Sequence, residues 1–206
     1  MTPRAALERG LSEMALALPA GAVGQLLAYV ELLAKWNRTY NLTAIRDPLE
    51  MVSRHLLDSL AVLPHLPMPA SAALADVGSG AGLPGIPLAI ARSDWRVTLN
   101  DSNHKMCAFQ RQAAIELGLA NIQVHEGRVE SWQPASRFAA VVSRAFAALP
   151  EFIAKCRHLV ASDGVIAAMA GTLPEGLARD CRAIELRVPF LEAQRHLVLC
   201  KEVGVC

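Results

Sequence analysis

The sequence predicts a doubly wound α/β fold, a mainly parallel sheet of seven strands preceded by an N-terminal helical segment. Three observations carry this. From about residue 70, short apolar runs alternate with helix-length stretches. The strand runs are continuously apolar, as strands buried on both faces are. A glycine-rich turn, "DVGSGAGLPG" (Asp76–Gly85), joins the first strand of this region to its first helix. Right-handed crossovers then place helices on both faces of the sheet.

The elements follow in order. Residues 1–66 read as helical. Leu26, Val30 and Leu33, with Leu27, Tyr29 and Trp36, recur at three- and four-residue steps in "GAVGQLLAYVELLAKWN". "DPLE" (Asp47–Glu50) has the signature of a helix start: Asp47 caps, Pro48 suits the first turn and Glu50 reaches back to the cap amide. That helix runs through "MVSRHLLDSLAVL" and stops before Pro64. "LPHLPMPAS" (Leu63–Ser71) is the junction to a second region, residues 67–206. There "AALADVG", "WRVTLND", "IQVHEG", "FAAVVSRA" and "GVIAAMAG" read as strands. "PGIPLAIARS", "HKMCAFQRQAAIELG" and "LPEFIAKCRHLV" read as helices, and "IELRVPF" with "RHLVLCKEV" as a closing antiparallel pair. The first 66 residues are expected to pack on this sheet, making effectively one structural domain.

Composition narrows the function classes. Hydrophobic residues make up 53%, which argues against disorder. The net charge of +1 is not that of an obvious polyanion binder, so any nucleic-acid surface must be local. The longest uncharged runs are broken by Pro and Gly, and Glu8 and Glu13 interrupt any leader-like start. A soluble cytoplasmic protein, with no membrane contact and monomeric by default, is expected. The five cysteines (Cys107, Cys156, Cys181, Cys200, Cys206) contain no Cys-x-x-Cys pair, so buried or incidental thiols are expected rather than a disulfide framework or a metal site.

The residues of the glycine turn discriminate among its possible ligands. A triphosphate loop needs Lys and Ser/Thr after its last glycine, and Ile86 and Pro87 stand there instead. The dinucleotide fingerprint needs glycine at its first, third and sixth positions, here Gly78, Gly80 and Leu83; the leucine weakens that reading. What remains is acidic-x-Gly-x-Gly-x-Gly: Asp76, Gly78, Gly80 and Gly82. This resembles the first motif of S-adenosylmethionine-dependent methyltransferases with a Rossmann-like, seven-stranded sheet. A methionine carboxylate suits close backbone approach and a helix start, and Asp76 favours the ammonium, directly or through water. Asp101 closes the next strand, about 20 residues on, where an acidic group binds ribose hydroxyls.

Longer stretches resemble one family, the ribosomal small subunit methyltransferase G or glucose-inhibited division protein B family. They are "DVGSGAGLPGIPLAI" (Asp76–Ile90), "KWNRTYNLTAIRDP" (Lys35–Pro48), "RHLLDSL" (Arg54–Leu60), "SRAFA" (Ser143–Ala147) and "RHLVL" (Arg195–Leu199), in the family's order. The resemblance implies methylation of a guanine N7 in 16S ribosomal RNA, near the decoding region, on free RNA or on the 30S subunit. It further implies that Gly78 and Leu83 line the cofactor pocket, that Val129 and Glu130 flank the adenine, and that Arg144 sits beside the reacting centre.

The residues present suit that chemistry. Guanine N7 has a free lone pair and no proton, so transfer needs alignment rather than a base or a covalent nucleophile. No cysteine follows Pro or Thr, as a ring-attacking thiol would, and "SRAF" stands where amine methyltransferases carry Asn/Asp-Pro-Pro-aromatic. Arg144 is expected to contact cofactor carboxylate, RNA phosphate or guanine O6, or else to be structural, paired with Asp76 or Glu130. His55 and Asp58, three apart, share a helix face either at the RNA or cofactor mouth or as an ordinary packed pair. Lys35 and Arg38, with Trp36, Asn41 and Arg46, form either a basic and aromatic RNA patch or a solvated face over a core tryptophan. A small-molecule methyltransferase and a non-catalytic nucleotide-binding module are the competing readings.

Two positions depart from the family pattern. Ala139 and Ala140 follow Phe138 where an acidic residue is usual, a change expected to affect local loop structure. Ala170 stands where the family commonly has lysine near the ligand edge of the sheet. Losing a phosphate contact there weakens RNA binding and its salt dependence, so either another cation, Arg179 or Arg182, replaces it or RNA is engaged differently.

Overall fold

A computed structural model describes residues 1–144, 148–173 and 176–201. The last three residues of "SRAFA", the last two of the anticipated strand "RHLVLCKEV", and Cys206 lie outside these residues. The helical region comprises α1 (Pro3–Glu13), α2 (Ala22–Tyr40), α3 (Pro48–Met51), a π-helical turn (Val52–Leu57) and α4 (Asp58–Leu60). Asp47 caps α3 through its side chain, which accepts from the Leu49 amide at 2.9 Å, while Glu50 is exposed. The expected single helix from Pro48 is interrupted by the π turn, a feature that often marks functional positions.

The second region alternates as predicted: β1 (Ala73–Val77), α5 (Gly85–Ala91), β2 (Arg96–Asp101), α6 (His104–Glu116), β3 (Ile122–Glu126), β4 (Phe138–Arg144), α7 (Leu149–Cys156), β5 (Val160–Ala170), β6 (Cys181–Glu185) and β7 (His196–Lys201). The sheet has seven strands in the order β3-β2-β1-β4-β5-β7-β6. Strands β1 to β5 pair in parallel, and β7 runs antiparallel between β5 and β6. Alternate residues of the central strands enter two cores. Leu74, Ala140 and Val142 join one that also holds Leu7, Leu26, Leu57 and Phe109 of the helices; Ala75, Val77 and Val141 join a second, with Trp132, Phe152 and Cys156. This two-sided burial is why the strands read as continuous apolar runs.

Three expectations need correction. The strand anticipated in "IELRVPF" ends at Glu185, and β6 instead starts at Cys181; a proline, here Pro189, cannot donate to a ladder. Ala139 and Ala140 lie within β4, and Ala140 is fully buried, so they are sheet positions and not loop ones. Cys181 and Cys200 form a disulfide, where incidental thiols were expected. Their sequence separation of 19 gives no hint of it, but the antiparallel register sets the two directly opposite across β6 and β7. No helix among the described residues is long and apolar enough to cross a membrane.

Candidate active site at the carboxyl edge of the sheet

The glycine turn leaves the carboxyl end of β1 and is tied down from three sides. Gly80 has φ +54°, a left-handed conformation that favours glycine, and open space where a side chain would stand. Its amide donates to Asp101 Oδ2 at 2.8 Å. From α2, Tyr29 donates its hydroxyl to the Ala81 carbonyl at 2.8 Å; from α6, Gln110 donates to Ser79 Oγ at 2.9 Å and the Gly80 carbonyl at 2.7 Å. Neither role was foreseen from the sequence, where Tyr29 reads as an apolar-face position and Gln110 as one residue of a helix. Leu83 is buried at 4% exposure within the larger core. The close helix–strand approach that Leu83 fails to supply comes from Gly85, where an added Cβ would collide with Leu99 and lie 2.8 Å from Asp76 Oδ2.

Asp76 is wholly buried, and its Oδ2 accepts from the Gly85 amide at 2.7 Å. Its Oδ1 has no hydrogen-bond partner, the donor-seeking atom that a ligand ammonium or a water would satisfy. Burial pushes this carboxyl up to about 7, against the pull of the Gly85 amide and Arg144. The raised value means that, without ligand, the stability Asp76 contributes is present at low pH and lost as pH rises through about 7. An ammonium ligand prefers the carboxylate, so its affinity changes in the opposite sense. S-adenosylhomocysteine affinity should rise about tenfold between pH 6 and 8, and the rise should vanish in Asp76→Asn. Titration calorimetry across that range checks this; a flat wild-type profile refutes it.

Asp101 ends β2, and its other oxygen accepts from the Asn103 amide at 2.8 Å. Each carboxylate oxygen keeps a second lone pair, the acceptor a ribose hydroxyl requires. Gly78, Asp101, Val129 and Glu130 line one cavity of about 270 Å³ beside the turn. Its far wall is set by Asn100, buried at 2%, which donates to the Gly127 carbonyl at 2.9 Å. Trp132, stacked on His125 at 4.5 Å between ring centroids, supports the Val129–Glu130 turn from behind. Glu130 pairs with Lys155 at 3.1 Å and with Arg128 at 3.4 Å.

Arg144 ends β4, next to β1. Its partners are neither Asp76 nor Glu130, the two anticipated. Nη1 donates to Asp58 Oδ2 at 3.2 Å and to the Arg54 carbonyl, in the π turn, at 2.9 Å. His55 is buried at 4%, with Nε2 3.0 Å from Thr43 Oγ1 and Nδ1 3.1 Å from the Arg54 carbonyl. Burial and the nearby Arg144 bring it down to about 4, so the ring is neutral and donates Nδ1–H to that carbonyl. It braces the π turn from inside, with both ring nitrogens engaged by protein groups. Lys35 and Arg38 are exposed on α2, and Trp36 between them packs on Phe109 at 5.6 Å. Of the cations named to replace a lysine at position 170, Arg182 lies on β6 at the outer edge of the sheet and Arg179 in the turn before it. A cation does stand near the next residue: a Cβ added to Gly171 would lie 3.8 Å from Nη1 of Arg195, the residue that opens "RHLVL".

A glycine turn after β1, an acidic residue ending β2 and a sheet of order 3-2-1-4-5-7-6 define a Rossmann-like S-adenosylmethionine-dependent methyltransferase. Solved structures share the fold: an S-adenosylmethionine-dependent methyltransferase from Aquifex aeolicus (TM-score 0.56, 15% identity, covering 75% of this chain and 93% of that one) and a predicted O-methyltransferase from Agrobacterium tumefaciens (0.54, 22% identity, 70% and 78%). The GidB family model, rRNA small subunit methyltransferase G, matches residues 22–198. Proteins named ribosomal RNA small subunit methyltransferase G are 51% identical in Methylobacillus flagellatus, over 93% of this chain and 95% of theirs, and 50% identical in Chromobacterium violaceum, over 94% and 95%. The chain belongs to the rRNA small subunit methyltransferase G family.

Proposed function

We propose that this protein transfers a methyl group from S-adenosylmethionine to N7 of a guanine in 16S ribosomal RNA, near the decoding region, acting in the cytoplasm as a monomer on free RNA or on the 30S subunit. The observation that carries the reading is the division of the sheet edge. Asp76, the glycine turn and Asp101 stand over β1 and β2 as a cofactor half, and Arg144 stands over β4 as a substrate half. The cofactor's sulfonium supplies an electrophilic methyl. The chain's part is to hold acceptor and donor in line and to keep water out. Asp101 and the Val129–Glu130 turn orient the nucleoside end; Asp76 and the turn amides orient the methionine end.

An acceptor that is already nucleophilic fits the remaining residues. The free thiols Cys107 and Cys156 are buried and pushed up to about 11 and about 12, chiefly by desolvation, so neither is poised to attack a ring carbon. His55 is engaged on both nitrogens. Arg144 is placed to contact guanine O6 or a phosphate; covering N7 itself would block its lone pair.

Two measurements test the reading. Asp101→Ala should weaken S-adenosylhomocysteine binding roughly tenfold to a hundredfold, since a charged acceptor to both ribose and the turn is lost. Unchanged binding would remove Asp101 from the cofactor site. Methylation of 30S subunits and of naked 16S RNA, read by cleavage at N7-methylguanine, should show incorporation in at least one. A protein that binds cofactor but methylates neither acts on something else; the net charge of +1 then points to a small-molecule acceptor.

A further inference from the structure

Asp58, at the start of α4, is buried to 3% side-chain exposure, and its two oxygens serve different cations. Oδ2 accepts from Arg144 Nη1 at 3.2 Å and Oδ1 from Arg195 Nε at 3.0 Å. Arg195 immediately precedes β7. The order β1-β4-β5-β7 therefore sets the two arginines along the half of the sheet edge that faces away from Asp101. One carboxylate against two guanidiniums leaves one positive charge. A buried carboxylate with a single arginine would be a neutral structural pair; the second arginine gives the cluster a charge to offer.

That charge is accessible, with the Arg144 and Arg195 side chains 23% and 25% exposed. Arg195 Nη1 is held by the Gln194 carbonyl at 2.9 Å. Nη2 of both arginines and Nε of Arg144 donate to no group of the described residues. Small neighbours make room: Ala170 pairs with His196 in register, and a Cβ added to Gly171 would lie 3.8 Å from Arg195 Nη1. Two partly exposed planar forks held on one carboxylate, with unused donors and one net positive charge, match a singly charged oxyanion with two open oxygens. A phosphodiester has that chemistry, and gripping the backbone leaves guanine N7 uncovered.

We infer that Arg144 and Arg195, locked together by Asp58, seat an RNA backbone phosphate beside the target guanine, with Arg195 a substrate-binding residue and Asp58 a positioning residue. The inference rests on the reading that the substrate is RNA. It also puts a cation at the sheet edge where the family resemblance expects lysine and Ala170 stands.

The test is methylation kinetics over a salt series, on whichever of 30S subunits or 16S RNA the wild-type protein methylates, with S-adenosylhomocysteine calorimetry alongside. Arg195→Ala should raise the KM for RNA about tenfold and reduce the salt slope by about one, with cofactor affinity unchanged. Arg195→Lys should recover the slope but only part of the KM, because one ammonium keeps the charge and loses the fork. Asp58→Asn should raise the KM at least as much, and the Asp58→Asn, Arg195→Ala double variant should be no worse than Asp58→Asn alone. An unchanged KM and slope in Arg195→Ala overturns the phosphate seat, as does an equal loss of cofactor affinity. Additive effects in the double variant overturn the positioning role. If Arg195→Ala fails to fold, an unaltered KM in Arg195→Lys overturns the seat. Wild-type protein inactive on both RNAs sinks the RNA reading and the seat with it; active wild type with an unaffected Arg195→Ala sinks the seat alone.

Discussion

Gly85→Ala should lower the melting temperature by about 4–12 °C, the effect of roughly 2–3 kcal/mol of overpacking in a domain of this size. The added methyl meets Leu99, which is fully buried and has nowhere to turn, and comes within 2.8 Å of Asp76 Oδ2. Relief requires Asp76 to move, and that breaks the 2.7 Å bond from the Gly85 amide that holds the turn to the end of β1. Cofactor affinity should therefore fall together with stability. Gly80→Ala separates the two effects. Its methyl meets nothing within 4 Å, and only the left-handed backbone, at φ +54°, opposes it. The cost to the fold there is about 1–2 kcal/mol. Differential scanning calorimetry with and without S-adenosylhomocysteine checks both variants. A Gly85→Ala protein that melts with the wild type would mean that helix α5 does not need this close approach.

What the sequence made legible follows periodicity and local chemistry. Continuous apolar runs separated by helix-length stretches announced β1 to β5 and the helices between them, because a parallel sheet buries both strand faces. Asp47 and the acidic-x-Gly-x-Gly-x-Gly turn were readable because caps and left-handed positions restrict residue type within a few positions. Asp101 was readable because its spacing from the turn is fixed by one helix and one strand. The missed features depend on partners far apart in the chain. Asp58 meets Arg144 across 86 residues and Arg195 across 137, and the second contact exists only once β7 inserts beside β5. Tyr29 reaches Ala81 across 52 residues and looks, in its own helix, like any apolar-face position. The Cys181–Cys200 disulfide follows from strand register, and the π turn from packing, neither of which a pattern within one element encodes. Gly85 was overlooked because the dinucleotide fingerprint puts its close-packing glycine two positions earlier, and here the turn is longer.

Arg144→Ala should reduce the rate of methyl transfer about a hundredfold or more, the scale at which displacing a positioning group by an ångström is felt. One guanidinium nitrogen closes the Arg54 carbonyl of the π turn and one oxygen of Asp58, so its removal frees the π turn and the start of α4 that follows it. Arg195 still neutralises Asp58 through the other oxygen, so the protein should fold, and the loss should appear in the chemical step as well as in the KM for RNA. Arg144→Lys should rescue little, because an ammonium cannot span the carbonyl and the carboxylate and still present donors to the substrate. A second consequence follows from charge. Arg144 is one of the groups that draw the buried Asp76 carboxyl downward, with Asp101 acting against it. Without Arg144, Asp76 should hold its proton to higher pH, and the pH at which cofactor affinity reaches half its rise should move upward from about 7. Single-turnover methylation measures the first effect and calorimetry from pH 6 to 9 the second. A rate loss without the alkaline displacement would separate Arg144 from Asp76 and leave it acting on the substrate alone. The displacement without a rate loss would make Arg144 a cofactor residue only, its charge spent on the methionine end of the site.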